Sequence, residues 1–252
     1  MRKLIWIGNV NEGNNVIMMW HTSGIKTLED AKKKEVFVPA TGVTSTSVMY
    51  PRALNNIFDT KFKIITGFGG GLELNLAIER GEMHGRGSIA WATIKANAPH
   101  YLAEKKVNII LQMGLKKEKD LPDVPLIVDL ARNEAERAVL ELIAAGVAIG
   151  RPILTTPDVP AERATALRAA FEATMKDDTF QTEAKKARLD VNPVSGIELQ
   201  RIVEKVVGAP KDVIELTRAA LTKGETFKCA AVVEDKALCR KPKKKKAKNG
   251  SK

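Results

Sequence analysis

Short apolar runs alternate with amphipathic segments along most of the chain. Runs of four to eight apolar or β-branched residues between polar clusters predict buried strands, and apolar residues three or four apart predict helices. The predicted strands are 16–20, 36–39, 62–66, 83–87, 107–113 and 147–154. The predicted helices are 47–58, 72–80, 88–97, 134–145, 161–175, 179–188, 196–207 and 210–222. This alternation indicates an α/β fold with a parallel sheet, in which strand 107–113 is central.

Several helix ends carry residues that predict a boundary. Thr27, followed three residues later by Asp30, predicts an N-cap with a capping box. Gly81 is expected to end helix 72–80, whose apolar face has Leu72, Leu76 and Ile78 or Glu79 three or four residues apart. Pro51 lies one turn into helix 47–58 and predicts a late start or a kink there.

Strands 36–39 and 62–66 each lead into a loop that opens a helix. The hydroxyl loop (residues 41–47) contains Thr, Ser and Gly, and the glycine loop (residues 67–71) is nearly bare backbone. Both loops bring unpaired N–H groups to a helix N-terminus, where the helix dipole favours negative charge. Together they predict a pocket for a small anion. Hydroxyl groups could hold a carboxylate there without an arginine, from Thr44, Ser45, Thr46 and Ser47.

The glycine loop also permits two other interpretations. A strand, a G-x-G and a helix would suit a nucleotide- or anion-dependent enzyme, but Leu72 stands where a dinucleotide motif has its third glycine. No acidic residue ends a second strand about 20 residues later, and no Walker A motif is present. The loop could equally be a tight turn that lets a helix pack close to a strand.

Sets of residues typical of catalysis or metal binding are missing from the sequence. His21, His84 and His100 lack metal-ligand spacing, and no G-x-S-x-G motif occurs. Cys229 and Cys239, the only cysteines, support neither a disulfide framework nor a metal site. We therefore expect a protein that holds and releases a ligand, without catalysis, cofactor or metal.

The net charge of +11 is concentrated at one end of the chain. Residues 240–252 hold eight Lys and Arg and no acid, and the other 239 residues carry +3. We expect residues 223–252 to be a disordered basic tail; nucleic-acid binding by this tail is a weaker alternative, because no aromatic residues or recognised module accompany it. No run approaches the roughly 18 apolar residues of a membrane span, and the opening apolar run is too short for a secretion signal.

A series of short segments resembles the tripartite tricarboxylate transporter receptor family, the Bug-type periplasmic solute-binding proteins. The order and spacing match from about residue 4 to residue 221. The matching segments are SGIKTLEDA (23–31), ATG (40–42), KFK (61–63), GFGG (67–70), LAIERGE (76–82), LPDVP (121–125), GRP (150–152), PDVPAER (157–163), LRAAF (167–171) and MKD (175–177).

The resemblance implies a type II periplasmic-binding-protein fold: two three-layer α/β lobes that close over a small carboxylate, with the first lobe incomplete. It implies a second lobe at 22–108, and a first lobe with crossover segments at 1–21 and 109–222. Its implied partners are the carboxylate and the subunits of a tripartite-type membrane transporter, with no specific nucleic acid and no membrane insertion. Carried over by position, the ligand contacts are Thr41, Gly42, Thr44, Ser45 and Ser47, with Gly67 and Gly70 as a second wall.

Two family features have no counterpart in the given sequence: the export signal, and a leading strand–loop–helix that supplies half of the carboxylate contacts. We therefore expect exposed helix faces and unpaired sheet edges in the first lobe, with poor solubility or a partner as the result. The resemblance implies a periplasmic location; if Met1 is the true start, the expected location is cytoplasmic.

Overall fold

The computed structural model describes residues 3–222 and 224. Its strands are β1 (Ile5–Asn9), β2 (Asn15–Trp20), β3 (Val36–Ala40), β4 (Phe62–Thr66), β5 (Gly85–Ala90), β6 (Val107–Met113), β7 (Pro152–Thr155) and β8 (Val194–Ser195). Its helices are α1 (Leu28–Lys33), α2 (Thr46–Phe58), α3 (Gly71–Glu79), α4 (Trp91–Asn97), α5 (Pro99–Ala103), α6 (Glu134–Ile149), α7 (Ala161–Lys176), α8 (Asp178–Lys186), α9 (Gly196–Val207) and α10 (Lys211–Leu221). Short 3-10 turns lie at His21–Ser23 and Ile127–Leu130.

Strand β2 is the centre of a three-stranded sheet, with β5 on one side and β6 on the other. Both neighbours run antiparallel to β2, so β5 and β6 are parallel to each other and are joined through α4 and α5. The prediction that strand 107–113 is central and pairs in parallel is wrong: β6 is an edge strand and pairs antiparallel with β2. The reason is that β2, which follows β1 in the chain, is inserted between the two strands of this β–α–β unit. Among the strands of the described residues, parallel pairing occurs only between β3 and β4; two isolated parallel bridges join Asn11 to Asn192 and Gln112 to Leu126.

Strands β3 and β4 pair in parallel from Val36 opposite Phe62 to Ala40 opposite Thr66. His84, just before β5, connects this pair to the β2 sheet. Its backbone N–H donates to Phe37 O at 2.8 Å, and Phe37 N donates to His84 Nδ1 at 3.1 Å. Because the carboxyl ends of β3 and β4 meet at one edge, the hydroxyl and glycine loops begin side by side.

Helices cover both faces of the β2 sheet. On one face, Ile17 and Met19 belong to a large apolar cluster that includes side chains of α1, α2, α6 and α10. On the other face, Val16 and Met18 pack with side chains of α4 and α5. Helices α6 and α10, from the C-terminal part of the chain, thus share a core with elements of the predicted second lobe. The exact division of residues 1–222 between two lobes stays a prediction.

A second three-stranded sheet has β1 at its centre, antiparallel to β7 and to the short β8. Helix α9 covers one face, where Trp6 packs with Leu199 and Val203. Helix α7 covers the other face, where Ile7 packs with Phe171. The molecule is therefore a mixed α/β structure with two separate helix–sheet–helix arrangements.

Local signals placed several helix ends correctly. Thr27 Oγ1 accepts a hydrogen bond from Asp30 N at 3.2 Å and Asp30 Oδ2 accepts one from Thr27 N at 3.0 Å, which confirms the capping box. Gly81 has a φ of 74° and follows the end of α3, as predicted. A side chain at this φ would be strained, which is why glycine suits the position.

Helices α2 and α3 differ from the predictions. Helix α2 begins at Thr46 and includes Pro51, so a late start is wrong; the proline ring packs against Gly87, where any Cβ would overlap it. In α3 the buried side chains are Leu74, Ala77 and Ile78, while Leu72 is 82% exposed. The predicted face of α3 is right for Ile78 and wrong for Leu72 and Leu76, because both sets of residues have helical spacing and only packing against the sheet chooses between them.

Two element boundaries also differ. Residues 88–90 belong to β5, where Ile89 pairs with Val16, so the helix predicted at 88–97 begins at Trp91. Residues 147–149 continue α6 because Ala148 extends its buried face; Gly150, with a φ of 55°, then ends the helix, and β7 starts at Pro152. The predicted tail, residues 223–252, lies outside the described residues apart from residue 224.

Candidate functional site

The hydroxyl loop joins the end of β3 to the start of α2 and is shaped from inside by Ser47. The Ser47 side chain is buried, and its Oγ accepts a hydrogen bond from Thr41 N at 3.3 Å. The hydroxyl groups of Ser45 and Ser47 lie 2.7 Å apart and share a hydrogen bond. Ser47 therefore holds the shape of the loop, and Ser45 stands between it and solvent.

The outer part of the hydroxyl loop keeps its donors available. Gly42, Val43 and Thr44 are exposed, and their amide groups donate to no described residue. Ser45 N donates to Gly42 O at 2.9 Å, which fixes the turn. Ser45 is also the N-cap of α2, but its side chain does not cap the helix. The first turn of α2 thus offers amide groups next to the Thr44 hydroxyl, as an anion site requires.

The glycine loop is bonded to an acid, Glu73, from the first turn of α3. Gly67 has a φ of 113°, which requires glycine, and Gly70 is the extended N-cap of α3. Glu73 in the first turn of α3 turns back, and its Oε2 accepts a hydrogen bond from Gly69 N at 2.7 Å. One amide of this loop is therefore bonded to the protein's own carboxylate.

The glycine loop is bonded to the end of β3, where the hydroxyl loop begins, by a hydrogen bond from Phe68 N to Ala40 O at 3.4 Å. All seven predicted contact residues therefore lie at one edge of the β3–β4 pair: Thr41, Gly42, Thr44, Ser45, Ser47, Gly67 and Gly70. Their contacts with a ligand stay a prediction. The geometry distinguishes Ser47, which is buried, from Gly42 and Thr44, which face solvent.

A chain of neutral polar groups supports the hydroxyl loop from the β2 sheet. Asn15 Nδ2 donates to Ser88 Oγ at 3.0 Å, and Ser88 Oγ donates to Thr46 Oγ1 at 3.0 Å. Burial raises the pKa of the nearby Tyr50 hydroxyl to about 12, an effect that a hydrogen bond with Asn15 opposes. The groups behind the loop are therefore uncharged at neutral pH.

Arg86 places a positive charge behind the glycine loop. Arg86 lies in β5, and its Nη1 donates to Gly71 O at 3.2 Å and to Asn75 Oδ1 at 2.7 Å. Both acceptors belong to α3. Tyr101, which packs nearby, donates its hydroxyl proton to Glu79 at the end of the same helix. Burial first, and then the Glu79 carboxylate, raise the pKa of Tyr101.

A polar cleft of about 520 Å³ lies where β1 leads into β2. It is lined by residues 11–14, 116–120 and 190–193 and by one face of α4. Lys95 of α4 lies 3.0 Å from Asp120 Oδ2 and 2.8 Å from Asp190 Oδ2, and so connects two of these segments. The hydrogen bond from Lys95 is the largest cause that lowers the pKa of Asp120.

The described residues contain no group of three His, Cys, Asp or Glu side chains that could hold a metal ion. His84 connects β3 to β5, and His21 and His100 lie against Trp20 and Tyr101. Cys229 and Cys239 lie outside the described range. Within that range no helix is both long enough and apolar enough to cross a bilayer.

Sequence reasoning did not find Glu73 or Arg86. The position of Glu73, in the first helical turn after a glycine loop, is a signal for its role, because an acid there can accept hydrogen bonds from the free amide groups of the loop. A single arginine between glycines in an otherwise uncharged strand, Gly85-Arg86-Gly87, is a signal for a buried charge. Neither signal predicts which amide or carbonyl group the side chain of Glu73 or Arg86 forms a hydrogen bond with.

Comparison with solved structures gives matches that cover most of the chain. A TctC solute-binding protein from Polaromonas matches with a TM-score of 0.62 and 17% identity, over 84% of this chain and 69% of that one. The R. palustris protein Rpa4515, solved with adipate, matches with a TM-score of 0.54 and 11% identity, over 84% of this chain and 68% of that one. The periplasmic binding protein BugD matches with a TM-score of 0.50 and 16% identity, over 86% of this chain and 69% of that one.

No protein-family model matches the sequence, and no curated protein matches it. The predicted resemblance is confirmed at the level of the fold: the chain has the mixed α/β fold of TctC- and Bug-type periplasmic binding proteins. Two of these neighbours are described as a solute-binding protein and a periplasmic binding protein.

Proposed function

We propose that this protein binds a small carboxylate and delivers it to a membrane transporter of the tripartite tricarboxylate type, without catalysis. The observation that carries the proposal is the outer hydroxyl loop. It presents free amide groups at Gly42, Val43 and Thr44 beside the uncapped first turn of α2. A carboxylate offers several acceptor sites for such neutral donors.

In the proposed two-lobed receptor, the second lobe is residues 22–108, and the first lobe comprises residues 1–21 and 109–222. The Rpa4515 structure holds adipate, a small dicarboxylate, which supports this class of ligand for the present chain. The periplasm is the proposed location, because one structural neighbour is described as a periplasmic transporter and another as a periplasmic binding protein.

The alternative, an enzyme that binds a nucleotide at the glycine loop, is less well supported. The third glycine of a dinucleotide-binding motif is replaced by Leu72, which is 82% exposed, and the sequence has no Walker A motif. The glycine loop therefore lacks the residues that typically hold the phosphates of a nucleotide.

A thermal-shift screen with hexanoate, adipate and citrate tests the proposal, followed by calorimetric titration of each compound that raises the unfolding temperature. A ligand that binds only the folded protein stabilises it by mass action. We expect at least one carboxylate to raise the unfolding temperature. The double variant Thr44→Ala/Ser45→Ala should bind that compound at least about tenfold more weakly, because two hydroxyl donors to a charged group are lost.

Thr179→Ala/Thr182→Ala is the matched control, since it removes two exposed hydroxyls from α8. The control should bind as the wild type does. If none of the three carboxylates shifts the wild type, or if the two double variants bind alike, the proposed site is wrong. A shift with ATP that persists in Thr44→Ala/Ser45→Ala would favour the enzyme instead.

A further inference from the structure

Arg86 is a buried cation without a counter-ion. Its residue exposure is 9%, and no salt bridge joins it to a carboxylate among the described residues. Its Nε–H group is buried and has no hydrogen-bond partner in that part of the chain. Only Nη1 is used, and both of its acceptors, Gly71 O and Asn75 Oδ1, are neutral.

Such an arrangement is unfavourable by itself. A buried charge is normally paired, and a buried donor is normally bonded, because removal from water is costly for both. Burial lowers the pKa of Arg86 to about 10, yet the guanidinium remains protonated at neutral pH. A purely structural brace between β5 and α3 would not need this charge, since a neutral amide side chain can also donate to a carbonyl.

The positive charge of Arg86 acts on the glycine loop from its buried side. Gly71 is the first residue of α3, so the Nη1 bond to its carbonyl fixes the start of the helix. On the outer side, Glu73 holds Gly69 N. The loop therefore lies between a buried positive charge, which attracts an anion, and an exposed carboxylate, which occupies one of its donors.

We propose that Arg86 is a positioning residue that sets the charge preference of the carboxylate site, and that Glu73 is an internal carboxylate that the ligand displaces from the glycine loop. This inference rests on the proposed function. The ligand end at the glycine loop then carries a negative charge, and its field offsets that of Arg86 where water cannot. Arg86 makes no contact with the ligand; it acts through α3 and through space.

Three variants of the full chain test this inference, with the carboxylate of the panel that binds wild type most tightly as the probe. Arg86→Met removes the charge but keeps most of the side-chain volume, and should bind at least about tenfold more weakly. Arg86→Lys keeps the charge and should recover most of the affinity. Glu73→Gln retains an oxygen for Gly69 N, but should bind about threefold more tightly because the competing negative charge is gone.

The unfolding temperature without ligand separates this role from a structural one. We expect Arg86→Met to unfold at about the temperature of wild type, because removal of an unpaired buried charge offsets the loss of the bonds to Gly71 O and Asn75 Oδ1. A lower unfolding temperature, with affinity that Arg86→Lys does not recover, would make Arg86 a brace and overturn the inference. Equal binding by wild type and Arg86→Met would overturn it as well, while the proposed function would stand. If no carboxylate binds wild type, the proposed function fails first, and the inference fails with it.

Discussion

Strands β2 and β1 are each the central strand of a three-stranded antiparallel sheet, but their neighbours differ. Strand β2 pairs along its whole length with β6 and along most of it with β5. Strand β1 pairs with β8 only at Gly8 and Asn9, and its other neighbour, β7, leaves Ile153 47% and Leu154 41% exposed. Both central strands are buried on both faces, so burial of the strand itself does not separate the two regions.

The difference lies at the sheet edges. Along residues 5–7 the side of β1 that faces β8 has no strand partner among the described residues, and the Trp6 carbonyl accepts a hydrogen bond from Arg168 Nε at 2.9 Å instead. A side chain that forms a hydrogen bond with an unpaired strand edge is one way in which proteins protect backbone groups there. The β2 sheet should therefore carry most of the stability, and the β1 sheet should tolerate change at its outer strand.

The largest expected effect is that of Ile17→Ala. Ile17 in β2 is fully buried in the main apolar cluster, and its truncation should lower the free energy of unfolding by about 4 kcal/mol through lost burial and an added cavity. Urea unfolding followed by circular dichroism measures the loss.

Ile153→Ala is the matched control, with the same chemical change in the outer strand β7. It should change the free energy of unfolding by no more than about 0.5 kcal/mol, as is usual at exposed positions. Equal losses for the two variants would show that the β1 sheet is as important to stability as the β2 sheet.

Gln112→Ala should have the next largest effect. Gln112 in β6 is buried, and its Nε2 donates to Leu121 O and Val124 O at 2.8 and 2.9 Å. Its Oε1 accepts from Asn14 Nδ2 and Glu118 N. The variant would leave several buried groups unpaired and should lower the free energy of unfolding by about 3 kcal/mol.

The same unfolding assay checks Gln112→Ala, with Gln200→Ala as the control. Gln200 donates an exposed hydrogen bond to Glu204, so its loss should be close to zero. A Gln112→Ala loss as small as that of the control would mean that the segment after β6 is not held by this side chain.

Asp120→Asn should have the smallest effect, and the effect should depend on pH. The folded-state pKa of Asp120 is lowered, first by the hydrogen bond from Lys95 and then by that from the Trp91 indole. A lowered pKa stabilises the fold above the ordinary value near 3.8, and this contribution is lost as the pH falls through the folded-state pKa. Because the pair is largely exposed, the loss at pH 7 should stay below about 1 kcal/mol.

Urea unfolding at pH 7 and at pH 3 checks this prediction. The difference in stability between wild type and Asp120→Asn should shrink at the lower pH, and Asp123→Asn, in the same segment, should show little difference at either. A difference that grows as the pH falls would contradict the assigned direction of the pKa.

Local signals predicted most of the helices and strands but not their arrangement. The Thr27 capping box and the Gly81 stop depend on residues a few positions apart, so the sequence alone was sufficient. The insertion of β2 between β5 and β6 depends on pairing between residues 66 to 98 positions apart, which no local pattern contains. The buried face of α3 likewise depended on which of two apolar faces met the sheet.

The candidate site could likewise be predicted from the sequence only as far as local patterns reach. Gly, Thr and Ser composition located both loops, and the parallel pairing of β3 with β4 brought them together. The roles of Glu73 and Arg86 could not be predicted, because a carboxylate turned back onto Gly69 and a guanidinium beneath α3 are defined by contacts in space. Arg86 belongs to no motif, so no pattern in the sequence distinguishes it from a solvated arginine.

Trp91 gives the protein an optical probe of its own. The indole Nε1 donates to Asp120 Oδ2 at 3.2 Å, and the Lys95 ammonium lies 5.7 Å from the ring centroid while it also holds Asp190. Indole emission responds to nearby charge, so any movement of the 190 segment away from α4 alters the field at this ring. Intrinsic fluorescence would thus report a change in the spacing between α4 and the 190 segment in unlabelled protein.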